Sequence, residues 1–191
     1  MVAGLSQILS GLALAGFAGV ALWLLMRPRE RMAALMPAPR LLVATAAATT
    51  LWCAAVAVFA PGSSQSLVVQ PLRDLSMLGW LGATFWSSRG PMSRPLRLIL
   101  KMLATICVLT LLLGTAAYLR AGAAAEPWMA PTLTFATMLV AVGGLLIIDG
   151  GVRHAGAGQR MPVMAVAGGF AMLWAYELNA QLIGALTGET A

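Results

Sequence analysis

The stretch LLVATAAATTLWCAAVAVFA, residues 41–60, contains twenty consecutive residues without a charged side chain. A helix of about 20 apolar residues is long enough to cross the hydrocarbon core of a bilayer. The whole chain has a similar composition, since 60% of its 191 residues are hydrophobic and 9% are charged. Soluble domains carry about 25% charged residues, so this composition excludes an ordinary soluble enzyme or nucleic-acid-binding domain. We therefore predict an integral membrane protein.

Five further apolar runs accompany this stretch, and together they predict six membrane spans. The third run is the least apolar, because it contains Gln70, Arg73 and Asp74. Backbone groups in hydrocarbon must bond to one another, so runs of this length predict α-helices. The fold class is therefore all-α: a polytopic membrane protein whose single domain, residues 1–191, is a bundle of six transmembrane helices. The predicted spans are residues 5–26, 41–60, 67–86, 98–119, 131–150 and 161–185.

The net charge of +6 has its explanation in membrane topology rather than in a nucleic-acid partner. Ten of the twelve Lys and Arg residues lie in or beside every second connection, whereas the opposite connections hold only Arg120. Basic loops stay in the cytoplasm, so both termini are predicted to lie outside. The first run is followed, not preceded, by basic residues, and is thus a retained span rather than a cleaved signal peptide. The predicted location is the bacterial inner (cytoplasmic) membrane.

Several side chains are predicted to have only structural roles. Cys53 and Cys107 fall inside apolar runs without a CxxC pair, which favours buried packing residues over a disulfide or thiolate site. The single histidine, His154, excludes a haem held by two histidines, and no HExxH motif is present. No metal site and no cofactor are predicted. Gly168 and Gly169 form a notch suited to close helix packing. Most of the tryptophans are expected near span ends, in an aromatic belt; the six are Trp23, Trp52, Trp80, Trp86, Trp128 and Trp174.

The best candidates for a site are ionisable side chains inside spans, because they are costly in hydrocarbon. Arg73 and Asp74 are predicted roughly 10 Å below the outer boundary of the third span, and Glu177 roughly 12 Å below that of the sixth. These matched depths predict that Arg73 pairs with Glu177 or with Asp74. The predicted polar cluster, a candidate ligand site, comprises Arg73, Asp74, Tyr176, Glu177 and Asn179, with Gln70 and Gln181 as further hydrogen-bond partners.

The sequence leaves three interpretations of these residues open. In the first interpretation, Arg73 and Asp74 are interfacial anchors whose charged ends reach the head groups. In the second, they belong to a buried ion pair with a structural role. In the third, they are part of a cluster that binds a ligand or senses a state of the membrane. A second predicted ion pair joins Asp149 and Arg153, four residues apart at the inner end of the fifth span. No catalytic residue is predicted, since the GxSxG, GxxxxGK[ST] and GxGxxG motifs are all missing.

Three short motifs occur in a distinctive order: LRD at residues 72–74, GGLLIID at 143–149 followed by Arg153, and YEL at 176–178. This order resembles the amino-terminal membrane region of the exosortase/PEP-CTERM-associated (PrsK) histidine kinases. In that family the fifth helix closes with an acid followed by an arginine, and the sixth carries a tyrosine followed by an acid. Asp149, Arg153, Tyr176 and Glu177 correspond to these positions in kind.

The resemblance implies a sensory membrane module that, in the family, precedes a cytoplasmic kinase portion. This chain has neither a phosphoacceptor helix nor an ATP-binding domain, so it is expected to be a stand-alone or truncated relative without kinase activity. The expected function is a non-enzymatic sensory or scaffolding role. The alternatives are a small-solute or ion transporter or channel, and, third, a membrane-embedded enzyme.

The expected partners are membrane lipids, together with a protein partner or a second copy of the chain, and no nucleic acid. Anionic head groups are expected at five arginines, which are Arg27, Arg29, Arg31, Arg89 and Arg94.

Overall fold

The computed structural model of the chain describes residues 15–20, 22–23, 25–26, 38–59, 64–87, 93–119, 129–154 and 160–187. Within these ranges the backbone is helical at every residue except Ala38 and Ser93, and no strand occurs. The predicted all-α class is therefore confirmed for the described part of the chain.

Five long helices correspond to the second through sixth predicted spans. They are α1 (Pro39–Phe59), α2 (Ser64–Ser87), α3 (Arg94–Leu119), α4 (Met129–His154) and α5 (Arg160–Thr187). Each predicted boundary lies within four residues of the observed one. The largest differences occur where α3 begins and where α4 ends. At both places the predicted span stops at charged residues, but the helix continues past them. Of the predicted first span, the described residues 15–20, 22–23 and 25–26 are helical, and the rest lies outside the described residues.

Four stretches of the described helices are long and apolar enough to cross a membrane: Pro39–Val58, Arg94–Leu119, Pro131–Gly151 and Val163–Ile183. They belong to α1, α3, α4 and α5. The remaining long helix, α2, has 24 residues but carries Gln70, Arg73 and Asp74 in its first half. Helices of this length and composition are those of a membrane protein.

The most polar helix, α2, occupies the centre of the bundle. It contacts α1, α3, α4 and α5. Its apolar face is completely buried at Met77, Trp80 and Leu81. This central position explains how α2 tolerates charged residues, because its neighbours separate them from lipid.

Contacts near the helix ends show that α2 and α4 run in one direction and α3 and α5 in the other. Phe85, near the end of α2, packs on Gly151, near the end of α4. Gln181, near the end of α5, donates a hydrogen bond to Thr137, near the start of α4. Apart from the buried Arg73, the basic residues of the described helices therefore lie at one end of the bundle, which is called the basic end below. It carries Arg40, Arg94, Arg97, Lys101 and Arg153.

Close helix packing depends on the glycines of α4. Leu103 of α3 lies 2.6 Å from the position that a Cβ at Gly143 would take, and the Trp174 ring of α5 presses against Gly144 in the same way. Glycine permits this approach because it has no Cβ. By contrast, a Cβ at Gly168 or Gly169 would meet nothing within 4 Å. The prediction that these two residues form a packing notch is therefore wrong for the described helices.

The core confirms the prediction for the cysteines and corrects the one for the tryptophans. Cys53 and Cys107 are both buried and free. Trp80 and Trp174 are also fully buried, whereas the prediction placed most of the tryptophans near span ends, in an aromatic belt. Both pack edge-on against Phe170, with ring centroids 5.5 and 6.4 Å from its own. These rings connect α2 to α5 in the interior of the bundle.

Candidate functional site

Arg73 lies nine residues into α2 and is 0% exposed. At about 1.5 Å per residue, its Cα is about 14 Å from the start of the helix. An interfacial arginine would extend its charged end to the head groups and keep it accessible. The complete burial of Arg73 contradicts the interpretation of this residue as an interfacial anchor. Its guanidinium group must instead find its partners inside the bundle.

The first partner is the neighbouring residue, Asp74, which is 2% exposed. Arg73 donates two hydrogen bonds to Asp74 Oδ1, from Nε at 3.1 Å and from Nη2 at 2.7 Å. Bonds between a guanidinium and a carboxylate are stronger than neutral ones because both groups are charged.

The second partner is Glu177 of α5, which is 7% exposed and 104 positions further along the chain. Arg73 Nη2 donates to Glu177 Oε2 at 2.7 Å, and Nη1 lies 2.5 Å from Oε1. The matched depths of these residues predicted a pair with Glu177 or with Asp74, whereas the structure contains both contacts at once. Arg73, Asp74 and Glu177 are called the triad below.

Two tryptophans complete the surroundings of the triad. The Arg73 guanidinium carbon lies 4.3 Å from the centroid of the Trp52 ring, within the range of a cation–π interaction. Trp174 Nε1 donates a hydrogen bond to Asp74 Oδ1 at 3.2 Å. Sequence reasoning missed both roles. A signal was present for Trp174, which precedes Glu177 by three positions and therefore shares its helix face.

The triad contains two carboxylates and one arginine. With both acids ionised it carries a net charge of −1 in the bundle interior, where an unbalanced charge is costly. In that state the three side chains are one positive charge short of neutrality, which a proton on either acid would supply.

Tyr176 and Asn179, which were predicted to belong to the polar cluster, lie outside the triad. Tyr176 is 64% exposed and Asn179 is also exposed. Successive residues of a helix are rotated by about 100°, so neighbours of Glu177 at one or two positions point elsewhere. Gln181 shares the face of Glu177 and donates to Thr137 Oγ1 at 2.7 Å, which joins α5 to α4. Gln70 is half-buried on α2.

Asp149 and Arg153 form a separate ion pair on α4 at the basic end. Arg153 donates from Nε and Nη2 to Asp149 Oδ1 at 3.1 and 3.0 Å. The side chains are 63% and 73% exposed, as expected for an interfacial pair. Exposed pairs contribute little to stability, so this contact is local.

Within the described residues, no group of three or more His, Cys, Asp or Glu side chains could hold a metal ion. The two acids of the triad already bind Arg73. No family model, curated protein or solved structure matches the chain. The resemblance to the membrane region of the exosortase-associated histidine kinases thus remains a prediction, and the function must be argued from the triad.

Proposed function

We propose that the chain is a multi-pass module of the bacterial inner membrane with a non-enzymatic sensory or scaffolding role, in which the triad is the contact that changes. The observation that supports this role is that one buried arginine bridges acids on two helices, α2 and α5. Ionisable residues in a membrane interior are costly, and those present usually serve a function.

The proposed arrangement has six spans, with the basic end in the cytoplasm and both termini outside. It is supported by the four stretches that are long and apolar enough to cross a membrane. It is also supported by the collection of Arg40, Arg94, Arg97, Lys101 and Arg153 at one end of the described bundle. Basic residues at helix ends mark the cytoplasmic side. In this orientation the triad lies in the outer half of the membrane.

The shared geometry of Arg73 suggests how the triad changes. A single nitrogen, Nη2, donates to both Asp74 and Glu177, so a positive charge gained by either acid weakens one of the two bonds. A signal requires a ligand or ion that binds two packing states with different affinity. Here the incoming proton or cation favours the state in which Arg73 binds only one acid, and α5 shifts relative to α2.

Trp174 provides the path from the triad to the basic end. Its Nε1 bonds to Asp74, and its ring presses on Gly144 of α4. A movement of Trp174 therefore changes the packing of α4, whose far end carries the Asp149–Arg153 pair. We infer that the cytoplasmic connections beside α4 deliver the signal to a partner protein, as the resemblance to a sensory module implies.

A small-solute or ion transporter is the alternative, because the missing positive charge in the triad would also suit a proton or cation pathway. Such a pathway usually needs ionisable residues at several depths. Of the acids in the described helices, only Asp74 and Glu177 are buried, and they lie at one depth, while Asp149 is exposed. This distribution favours a local switch over a continuous path.

Distances between the helix ends at the basic end test the proposed switch. Spin labels at Leu98→Cys of α3 and Met164→Cys of α5 occupy exposed positions, four residues into each helix. The buried cysteines are first replaced by alanine. In proteoliposomes we expect Glu177→Gln, which mimics a protonated acid, to shift the distance distribution between the labels. Tyr176→Phe, at the adjacent exposed residue, should leave the distribution unchanged.

Identical distributions in the parent protein and in Glu177→Gln would contradict the switch. Solute accumulation in proteoliposomes that is abolished by Glu177→Gln would support the transporter instead. A gene for a histidine kinase or an exosortase beside the gene for this chain would favour the sensory role.

A further inference from the structure

An apolar groove of about 540 Å³ lies between α2 and α3, near the basic end. Its walls include Leu75, Gly79 and Gly82 of α2 and Leu100 of α3. The lining residues span about eight positions on each helix, or about 12 Å along the bundle axis. A volume of this size is typical of small-molecule sites. The groove is separate from the triad, because neither Arg73 nor Glu177 lines it.

Two basic side chains also line the groove, and no acid does. Arg97 and Lys101 are one turn apart on α3, so they extend from the same face. Lys101 is exposed and Arg97 is half-buried. A long basic side chain near a helix end extends its charge toward the head groups while its stem covers apolar surface. The groove thus combines an apolar wall with a local charge of +2, which complements an amphiphile with a negative head.

We propose that this groove binds one anionic phospholipid, with an acyl chain over Gly79 and the phosphate at Arg97 and Lys101. The occupant is a lipid rather than a soluble anion because most of the lining is apolar. Gly79 is exposed and a Cβ there would meet nothing within 4 Å, which leaves space for an acyl chain, whereas the Leu100 side chain packs on Gly82. This inference rests on the proposed membrane arrangement but not on the switch at the triad.

The structure offers matched variants for the acyl chain. A Cβ at Gly79 would meet nothing within 4 Å, so Gly79→Leu extends into the groove without a clash at the backbone. Gly169 of α5 is also exposed with open space around it, and Gly169→Leu makes the same change outside the groove. For the head group, Arg97→Gln with Lys101→Gln removes two charges. Its control, Arg40→Gln with Arg153→Gln, removes two exposed charges elsewhere at the basic end.

Native mass spectrometry of the detergent-purified full chain measures the binding of phosphatidylglycerol and phosphatidylcholine with identical acyl chains. We expect one phosphatidylglycerol to bind in preference to phosphatidylcholine. The variant that lacks Arg97 and Lys101 should lose about tenfold or more in affinity for phosphatidylglycerol, and its charge-matched control should lose much less. Gly79→Leu should weaken the binding of this lipid, while Gly169→Leu and Glu177→Gln should retain it.

Three results would overturn the proposal. If the two charge variants lose the same affinity for phosphatidylglycerol, the lipid binds through the net charge of the basic end and not through Arg97 and Lys101. Equal binding by Gly79→Leu and Gly169→Leu would place the lipid outside the groove. A melting temperature that Gly79→Leu lowers equally in phosphatidylglycerol, in phosphatidylcholine and in lipid-free detergent would indicate that another segment of this chain fills the groove. The spin-label distances respond to Glu177→Gln, whereas the lipid affinity responds to changes at Gly79, Arg97 and Lys101, so failure of the switch is distinguishable from failure of the lipid site.

Discussion

Replacing Arg73 with leucine is expected to lower the free energy of unfolding by about 3–5 kcal/mol, the cost of breaking a buried ion pair from one side. The substitution leaves Asp74 and Glu177 buried without a positive partner, at 2% and 7% exposure. It also removes the cation from the face of the Trp52 ring. Unfolding in mixed micelles, followed by circular dichroism, measures this loss.

Because the triad has two acids and one base, removing the base is expected to cost more free energy of unfolding than removing one acid. Glu177→Gln removes one of two negative charges but leaves both hydrogen bonds from Arg73 to Asp74 in place. We therefore expect Glu177→Gln to cost far less stability than Arg73→Leu. The double variant Arg73→Leu with Glu177→Leu should recover part of the loss, because one unpaired acid disappears with the base. Additive losses in the double variant would argue against the pair.

Trp174→Ala is expected to have the second large effect, also about 3–5 kcal/mol, since a large aromatic side chain leaves a cavity in a packed core. Trp174 is fully buried, packs edge-on against Phe170 and donates to Asp74 Oδ1. Its loss removes the packing between α4 and α5 and one of the donors that stabilise Asp74. The same unfolding measurement applies, and a loss below about 1 kcal/mol would contradict the central position of this ring.

The contact of Trp174 with Gly144 has a matched control. Gly144→Ala places a methyl group against the ring and should destabilise the protein, whereas Gly168→Ala enters open space. Alanine is favoured over glycine in a helix by roughly 0.5–1 kcal/mol, so Gly168→Ala should be neutral or stabilising. Trp174→Phe should reduce the cost of Gly144→Ala by shortening the ring. Equal effects of the two alanine variants would argue against the close approach of α4 and α5.

The helices could be predicted from the sequence because backbone groups in hydrocarbon can form hydrogen bonds only with one another. The uncharged run at residues 41–60 therefore predicted α1 closely. The same reasoning could give the depth of a residue but not its neighbours on other helices. The matched depths of Arg73 and Glu177 below the outer ends of their spans were sufficient to predict that these two residues pair. Depth alone could not show that Tyr176, which lies at the depth of Glu177, faces outward and does not belong to the cluster.

The central position of α2 and the tryptophans around the triad were not predicted. Both depend on the lateral order of the helices, which hydrophobic runs do not encode. The prediction placed most of the tryptophans near span ends from residue type, whereas Trp52 and Trp174 lie well inside their helices. The face shared by Trp174, Glu177 and Gln181, at spacings of three and four, would have indicated a common partner surface on α5.

The placement of the basic end in the cytoplasm and of the triad in the outer half of the membrane is tested most directly by reporter fusions along the chain. Green fluorescent protein joined after Gly90 or Gly156 should fluoresce, while alkaline phosphatase there should be inactive. After Gly62 or Ala123, alkaline phosphatase should be active and the fluorescent reporter dark. Active alkaline phosphatase at Gly90 or Gly156 would place the basic end outside and contradict both the orientation and the outer position of Arg73.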